Sequence, residues 1–303
     1  MNEPRHLELN SCTICPQDCK ADRYQTAGFC GANHEIKINI AMLHHGEEPV
    51  ISGTRGSGTI FFSHCNLKCV FCQNHTISQR GWGHKVSVHE LAGHMLTLQE
   101  QGAHNVNLVS PTQYGIQIVD AIGEAKSRGL NIPIVWNSNA YEKPQTLKLL
   151  KGLIDIYLPD FKYAHAAYAK IYSGAADYPR YALSAIKEMF DQAGKLHINE
   201  IGIATRGVLV RHLVLPKGLS GTREILNLLH DEFGSGISLS LMAQYYPAGK
   251  AMEYPELSKG ISKMEYDAAL ETVQVLGFDR VFVQEISCDA GWTPVFEDYE
   301  QKV

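Results

Sequence analysis

Three cysteines, Cys65, Cys69 and Cys72, stand at C-x3-C-x2-C spacing in the stretch SHCNLKCVFCQNH. Four more, Cys12, Cys15, Cys19 and Cys30, follow C-x2-C-x3-C-x10-C near the start of the chain. Thiolates are natural ligands of iron–sulfur clusters and of zinc, and a cubane cluster has four irons to ligate. Four thiolates therefore close such a centre, whereas three leave one iron open to a ligand from outside the protein. An open position is what separates a catalytic metal from a structural one. The trio points to chemistry. The quartet points to an auxiliary iron–sulfur cluster, which could relay electrons or bind substrate, or to a zinc that only orders the surrounding chain. A tetrahedral Cys3His zinc site, completed by His64 or His75, is the competing reading of the trio. The remaining histidines show no ligand spacing: His89 and His94 are five apart on a predicted helix and share a face poorly.

The composition supports metal over disulfide. Seven of the eight cysteines precede residue 73 in a chain of 303 residues that carries no visible secretory segment. Disulfide frameworks belong to small secreted domains, and clustered cysteines in a reducing compartment more often bind metal. The opening MNEPRHLELN lacks a basic and then apolar signal, and no apolar run approaches the roughly 20 residues that span a bilayer. A soluble cytoplasmic protein is the expectation. A net charge of −5 with 19% charged residues disfavours nucleic acid as the main partner, because phosphate binding needs clustered Lys and Arg.

The elements that must position these residues can be read from hydrophobic periodicity. GTIFF (58–62) leads into the trio, and apolar strand-like runs recur at 105–109, 132–136, 154–158, 207–215, 237–242 and 280–284. Amphipathic helical patterns lie between them, one opening at Ser87 and Glu90 with capping-box spacing and stopping at Gly102. Continuous apolar strands separated by helices argue for a parallel sheet with right-handed crossovers. With this many units, a partial (β/α)6-type TIM barrel over residues 51–303 is the expected closure, and a doubly wound open sheet is the alternative. The trio then follows the first such strand, on the C-terminal face where these barrels carry their chemistry. Residues 1–50 do not share the rhythm and read as a small cysteine-rich cap ordered by its metal site.

The stretch CNLKCVFCQN, with Phe71 before Cys72 and Asn74 after it, resembles the signature of the radical SAM superfamily, in the branch around pyruvate formate-lyase activating enzymes. The longer EEPVISGTRGSGTIFFSHCNLKCVFCQN resembles an activase-like subgroup that bears an N-terminal cysteine cluster. The resemblance implies a [4Fe-4S] cluster on the trio, with S-adenosylmethionine (SAM) chelating the open iron. Reductive cleavage of SAM would give a 5′-deoxyadenosyl radical that abstracts hydrogen from a protein or peptide. A ferredoxin or flavodoxin would suit as reductant. A non-catalytic iron–sulfur carrier, a zinc-bound interaction module, and a radical SAM enzyme acting on a small molecule or RNA are the alternatives.

The same resemblance places SAM contacts at the strand ends. Relatives carry a GGE-type motif after the second strand, and this chain has Ser110, Pro111 and Thr112 there, with Asn107 nearby. Hydroxyls can accept from an ammonium, but without the charge assistance of a carboxylate. Asn137 and Ser138 end the third strand, Asp160 and Lys162 form a D-x-K pattern after the fourth, and Arg211 lies on the fifth. Strand alternation sends only one of Arg211 and His212 inward. Gln244 and Tyr245 follow the sixth strand, near substrate or adenine or simply packed. Cys288, after the last strand, is a candidate hydrogen-atom donor, with a small buried hydrophobe as the other reading.

Overall fold

The computed structural model describes residues 7–286 and 293–299. Ten strands form one sheet: β1 (Ile36–His44), β2 (Ser57–Phe62), β3 (His84–Val86), β4 (Val106–Val109), β5 (Ile134–Ser138), β6 (Ile156–Pro159), β7 (His197–Ile198), β8 (Ala204–Leu213), β9 (Ser238–Met242) and β10 (Val281–Val283). Strands β2, β4, β5, β6, β8, β9 and β10 are neighbours in that order and pair in parallel. The longer helices are α1 (Val88–Glu100), α2 (Gly115–Ser127), α3 (Ala166–Ser173), α4 (Tyr178–Ala193), α5 (Thr222–Phe233) and α6 (Lys263–Leu276). Parallel neighbours joined through helices curve into an open barrel, so the partial barrel expected from periodicity is what the chain forms.

Local chemistry accounts for the elements. Helix α1 starts in a complete capping box between Ser87 and Glu90. Strands β2, β4 and β5 are buried along their whole length, as parallel strands covered on both faces must be. Alternation sorts their side chains. Ile60, Leu108, Trp136, Tyr157 and Val210 join the large core that also contains Leu91, Met95, Ile122, Ile186 and Leu229 from the helices. Val135, Ile156 and Leu209 point the other way and pack with Val50 and Ile51 of the short helix Pro49–Ser52. That second cluster plugs the barrel interior, and polar side chains succeed it toward the C-terminal strand ends.

The residues before 50 divide into two parts. Residues 7–35 are mostly turns, with a small cluster of Leu9, Cys12 and Ile14 resting on Ile116 of α2. Residues 36–44 instead form β1, which pairs antiparallel with β2 and with β3. The chain therefore enters the central sheet before residue 50. The alternating Ile36, Ile38 and Ile40 carry the signal for this half-buried strand.

Candidate active site

A cavity of about 210 Å³ opens where the parallel strands end. It is lined by Cys65, Cys69 and Cys72 from the loop after β2, by Ser110 after β4, and by Asn137 and Ser138 from β5. Asp160 and Lys162 after β6, and Arg211 on β8, complete its polar wall. Phe61, Phe62, Val109, Leu213 and Met242 supply apolar surface, and Thr293 and Pro294 reach it from the C-terminal segment.

The cysteine loop is clamped from several sides. Val70 and Lys68 donate backbone N–H groups to Tyr172 and Ser173 at the end of α3, at 2.8 and 3.1 Å. Lys250 donates its N–H to Val70 O at 2.7 Å, and a Cβ on neighbouring Gly249 would approach that same oxygen at 2.9 Å. Only glycine permits so close a backbone approach at this positive φ of 58°. Phe71 sits edge-on to Tyr163 and Tyr245.

Each thiol meets a polar neighbour. Asn139 Nδ2 lies 3.3 Å from Cys65 Sγ, Ser173 Oγ donates to Cys69 Sγ at 3.0 Å, and Ser78 Oγ lies 3.2 Å from Cys72 Sγ. Burial pushes the Cys65 and Cys69 thiols up to about 11 and raises that of Cys72 as well. Lys162 opposes that rise at all three. A bound metal would displace these protons, since the thiolate is the ligand form.

Beside the trio lies a charge-balanced network. Arg211 Nε donates to Asp160 Oδ1 at 2.8 Å, Nη1 to Glu47 Oε2 at 3.0 Å, and Nη2 to Asn137 Oδ1 at 2.7 Å. Asn107 and Asn137 donate to Glu47 Oε1 at 3.0 and 3.1 Å, and Lys162 Nζ donates to Asp160 Oδ2 at 2.6 Å. Burial disfavours the Asp160 carboxylate, yet Arg211 and Lys162 outweigh it and hold the pKa below the ordinary range. Burial likewise opposes the Arg211 charge, and Asp160 and Glu47 overcome it. Two carboxylates thus match two cations in a place where an unpaired charge would be costly. Glu48 next door is buried, and desolvation raises its carboxyl pKa.

The residues singled out by sequence divide in two. Ser110, Asn137, Ser138, Asp160, Lys162 and Arg211 line the cavity with the trio, as does Gln244. Asn107 and Thr112 stand behind its wall. Asn107 is committed to Glu47, and Thr112 Oγ1 donates to Glu142 at 2.9 Å, where Trp136 and Ser138 also donate. Arg211 points inward as alternation requires, and His212 points outward to Phe161 O and Thr222 Oγ1. Tyr245 packs, with its hydroxyl on Leu257 O. Neither His64 nor His75 lines the cavity, and among the described residues no three His, Cys, Asp or Glu side chains converge on one metal ion. Cys288 lies outside the described residues.

Two features escape the sequence reading. Glu47, between β1 and the helix at Pro49–Ser52, brings a carboxylate to the ends of β4 and β5; as one of two adjacent glutamates beside a proline it reads as a solvated loop. The second is backbone strain. Ser110 has φ of 56°, His64 of 70° and Ala140 of 58°, three non-glycine residues in the left-handed region just past β4, β2 and β5. Such outliers cluster where a site over-determines the backbone. Ser110 thus holds a glycine-like conformation without being glycine.

Comparison with known proteins fits this geometry. A family model for the radical SAM superfamily matches residues 59–205. The chain is 32% identical over 284 residues to the uncharacterized protein MJ0674 of Methanocaldococcus jannaschii, covering 90% of this chain and 77% of that protein. Among solved structures it is similar to Streptococcus suis SuiB bound to precursor peptide SuiA, with a TM-score of 0.51 and 15% identity over 75% of this chain and 47% of that one. It is also similar to the FeFe-hydrogenase maturase HydG of Carboxydothermus hydrogenoformans, with a TM-score of 0.50 and 13% identity over 72% of this chain and 50% of that one. The chain spans about half the length of these two structures, and at such identities the likeness speaks for the fold alone. The family match, the MJ0674 relationship and the partial barrel place the chain in the radical SAM superfamily, whose members are enzymes built around a [4Fe-4S] cluster and SAM.

Proposed function

We propose that Cys65, Cys69 and Cys72 would hold a [4Fe-4S] cluster with one iron left without a protein ligand, and that the enzyme abstracts hydrogen from a protein or peptide in the manner of glycyl-radical activases. The observation that carries this reading is the sharing of one cavity by three thiols and a charge-balanced polar wall. When bound, the cluster and SAM supply the electron and the 5′-deoxyadenosyl radical. The donor set fits the group: three sulfurs, each with a polar neighbour, beside one lysine that favours all three thiolates.

The protein's own residues hold and orient. Asn139, Ser173 and Ser78 fix the sulfur positions. Ser110, Asn137, Ser138, Asp160 and Lys162 would hold the methionine and ribose groups of SAM, and Arg211 would hold the Asp160 and Glu47 carboxylates in place. Glu47 brings a carboxylate that the strand end after β4 lacks, while Asn107 and Thr112 support the wall from behind. Phe61, Phe62, Val109 and Met242 would exclude water. The quartet would hold a second cluster or a zinc. A low-potential donor of the ferredoxin or flavodoxin type and a reducing, cytoplasmic setting suit this chemistry. SuiB is crystallised with a precursor peptide, a ligand of the class proposed here.

Low-temperature EPR of the anaerobically reconstituted, dithionite-reduced protein tests the first half of the proposal. A reduced-cubane signal that changes shape when SAM is added is the expected result. An iron–sulfur signal indifferent to SAM would favour the carrier reading. Peptides deuterated at glycine Cα test the second half: deuterium should appear in 5′-deoxyadenosine, and unlabelled product from a turning-over enzyme would move the substrate to another class.

A further inference from the structure

Residues 293–299 run outside regular secondary structure from the cavity across β1 to β3. Thr293 and Pro294 line the cavity, and Thr293 Oγ1 lies 3.3 Å from the Tyr246 hydroxyl. Phe296 sits edge-on to Phe61, itself a cavity residue, with ring centroids 5.3 Å apart. It packs there on the cluster of Phe61, Ile77 and Val109. Tyr299 ends the run with its ring centroid 4.8 Å from that of His84 on β3.

Asn39 holds this segment. The register between β1 and β2 shifts from Ile38 opposite Phe62 to Ile40 opposite Phe61, so Asn39 is the extra residue of a β-bulge. A bulge takes its residue out of the ladder and re-aims it. Asn39 Nδ2 donates to Glu297 O at 2.9 Å, and Asn39 Oδ1 accepts from Glu297 N at 3.2 Å. The Asn39 main-chain carbonyl accepts from the Tyr299 hydroxyl at 3.1 Å. A primary amide that meets both the N–H and the C=O of one residue copies the paired bonds of an antiparallel ladder. It reads main chain, not side chain.

The attachment is slight. Phe296 joins an apolar cluster, whereas Val295 is 89% exposed and Glu297 is exposed as well. A segment with so little buried apolar surface opens at low cost. The surface that receives it is different: Asn39 and Phe61 belong to paired strands of the central sheet, and Phe61 is buried. A firm receptor thus carries a weakly held occupant.

We propose that the bulge at Asn39, the apolar cluster of Phe61, Ile77 and Val109, and the adjoining cavity form a groove for an extended peptide, which residues 293–299 occupy until a substrate segment displaces them. This rests on the reading of the cavity as one that acts on a protein or peptide, and it adds a register. Pro294 and Thr293 precede Glu297 by three and four positions. The substrate residue presented to the cavity therefore stands three or four positions before the residue that Asn39 pairs. An aromatic or large apolar side chain suits the Phe296 place. Proline is excluded at the Glu297 place, because it has no N–H to give Asn39.

The test is fluorescence anisotropy of a labelled peptide TPVFEDY, the sequence of residues 293–299, on the full chain reconstituted anaerobically. Glu297→Pro releases the chain's own segment and leaves β1 and Asn39 unaltered. It should bind the peptide about tenfold more tightly than wild type, where a tethered segment competes at high effective concentration. Adding Asn39→Ala to Glu297→Pro should weaken binding by about tenfold. A peptide N-methylated at its glutamate should bind as weakly, and one with glutamine there should match the parent. The N-methylated peptide gives the same reading on an unaltered groove if Asn39→Ala disturbs β1. Equal binding by wild type and Glu297→Pro, indifference to N-methylation, or loss of binding with glutamine would each overturn the groove. Binding is read without SAM or turnover, so its failure is distinct from failure of the hydrogen-abstraction reading, which shows as unlabelled 5′-deoxyadenosine.

Discussion

The two cysteine sets use the same ligand and meet opposite surroundings. The trio sits on a loop whose backbone is tied to α3 and to the loop after β9, at the mouth of a sheet buried on both faces. The quartet sits in a segment of turns: Cys12 joins a small cluster of Leu9, Ile14 and Ile116 of α2, with Cys19 against it, and only Cys30 reaches the large core. The barrel can position three thiols before any metal arrives, because Cys69 belongs to its large core and Cys65 and Cys72 pack against that core. The cap has too little core to order four thiols alone, so metal binding and cap folding should be one event. Preorganisation permits an open coordination position, whereas coupled folding favours a closed one.

The sharpest way to break this contrast is to remove each set in turn. Replacing Cys65, Cys69 and Cys72 with alanine should abolish SAM cleavage and the SAM-dependent EPR change while circular dichroism of the barrel persists. Serine at the quartet should leave the SAM-dependent change and expose residues 7–35 to proteolysis. If trio loss unfolds the barrel, preorganisation is wrong.

The next effect concerns the polar wall. Arg211→Met takes the cation from Glu47 and leaves Asp160 to Lys162 alone, and breaking a buried pair from one side typically costs about 3–5 kcal/mol. Urea denaturation should show it, with the cap's resistance to proteolysis unchanged if cap and barrel are energetically separate.

Acid should act on the barrel through His212. Burial depresses its pKa to about 4, and both ring nitrogens are engaged, with Phe161 O and Thr222 Oγ1. A folded pKa below the ordinary value means the unfolded state binds the extra proton first. Stability should therefore be unaffected above about pH 6.5 and fall as pH drops toward 4, by at most about 3 kcal/mol from this group. His212→Gln should flatten that part of the stability profile, read by thermal melts from pH 7 to pH 4.

The smallest effect tests backbone strain. Ser110→Gly should relieve the left-handed conformation and raise stability by about 1 kcal/mol, less the entropy glycine adds to the unfolded chain. A loss of stability instead would show that the Ser110 side chain matters more to the fold than its φ.

Much of this was legible before folding. The βα alternation appeared as apolar runs between amphipathic helices because a parallel strand is buried on both faces and a crossover helix on one. Helix α1 announced itself through Ser87 and Glu90. Strand β1 was less visible, since an antiparallel strand near the edge is buried on one side and its pattern is weaker. The trio's place after the first parallel strand needed no contact between distant residues. The assignments of Asn107 and Thr112 needed one: their direction depends on Glu47 and Glu142, which come from other segments.

The sequence by itself determined the ligand types, their spacing and the alternation that sends Arg211 inward. These are local properties, set by two- and three-residue periods and by the chemistry of sulfur. Only the tertiary structure decided that Arg211 is neutralised by Glu47, 164 residues away, and that Asn66 reaches toward both cysteine sets. Hydrogen bonds of that separation carry no pattern along the chain. They exist because closing the sheet brings strand ends, the segment after β1 and the cap to one place.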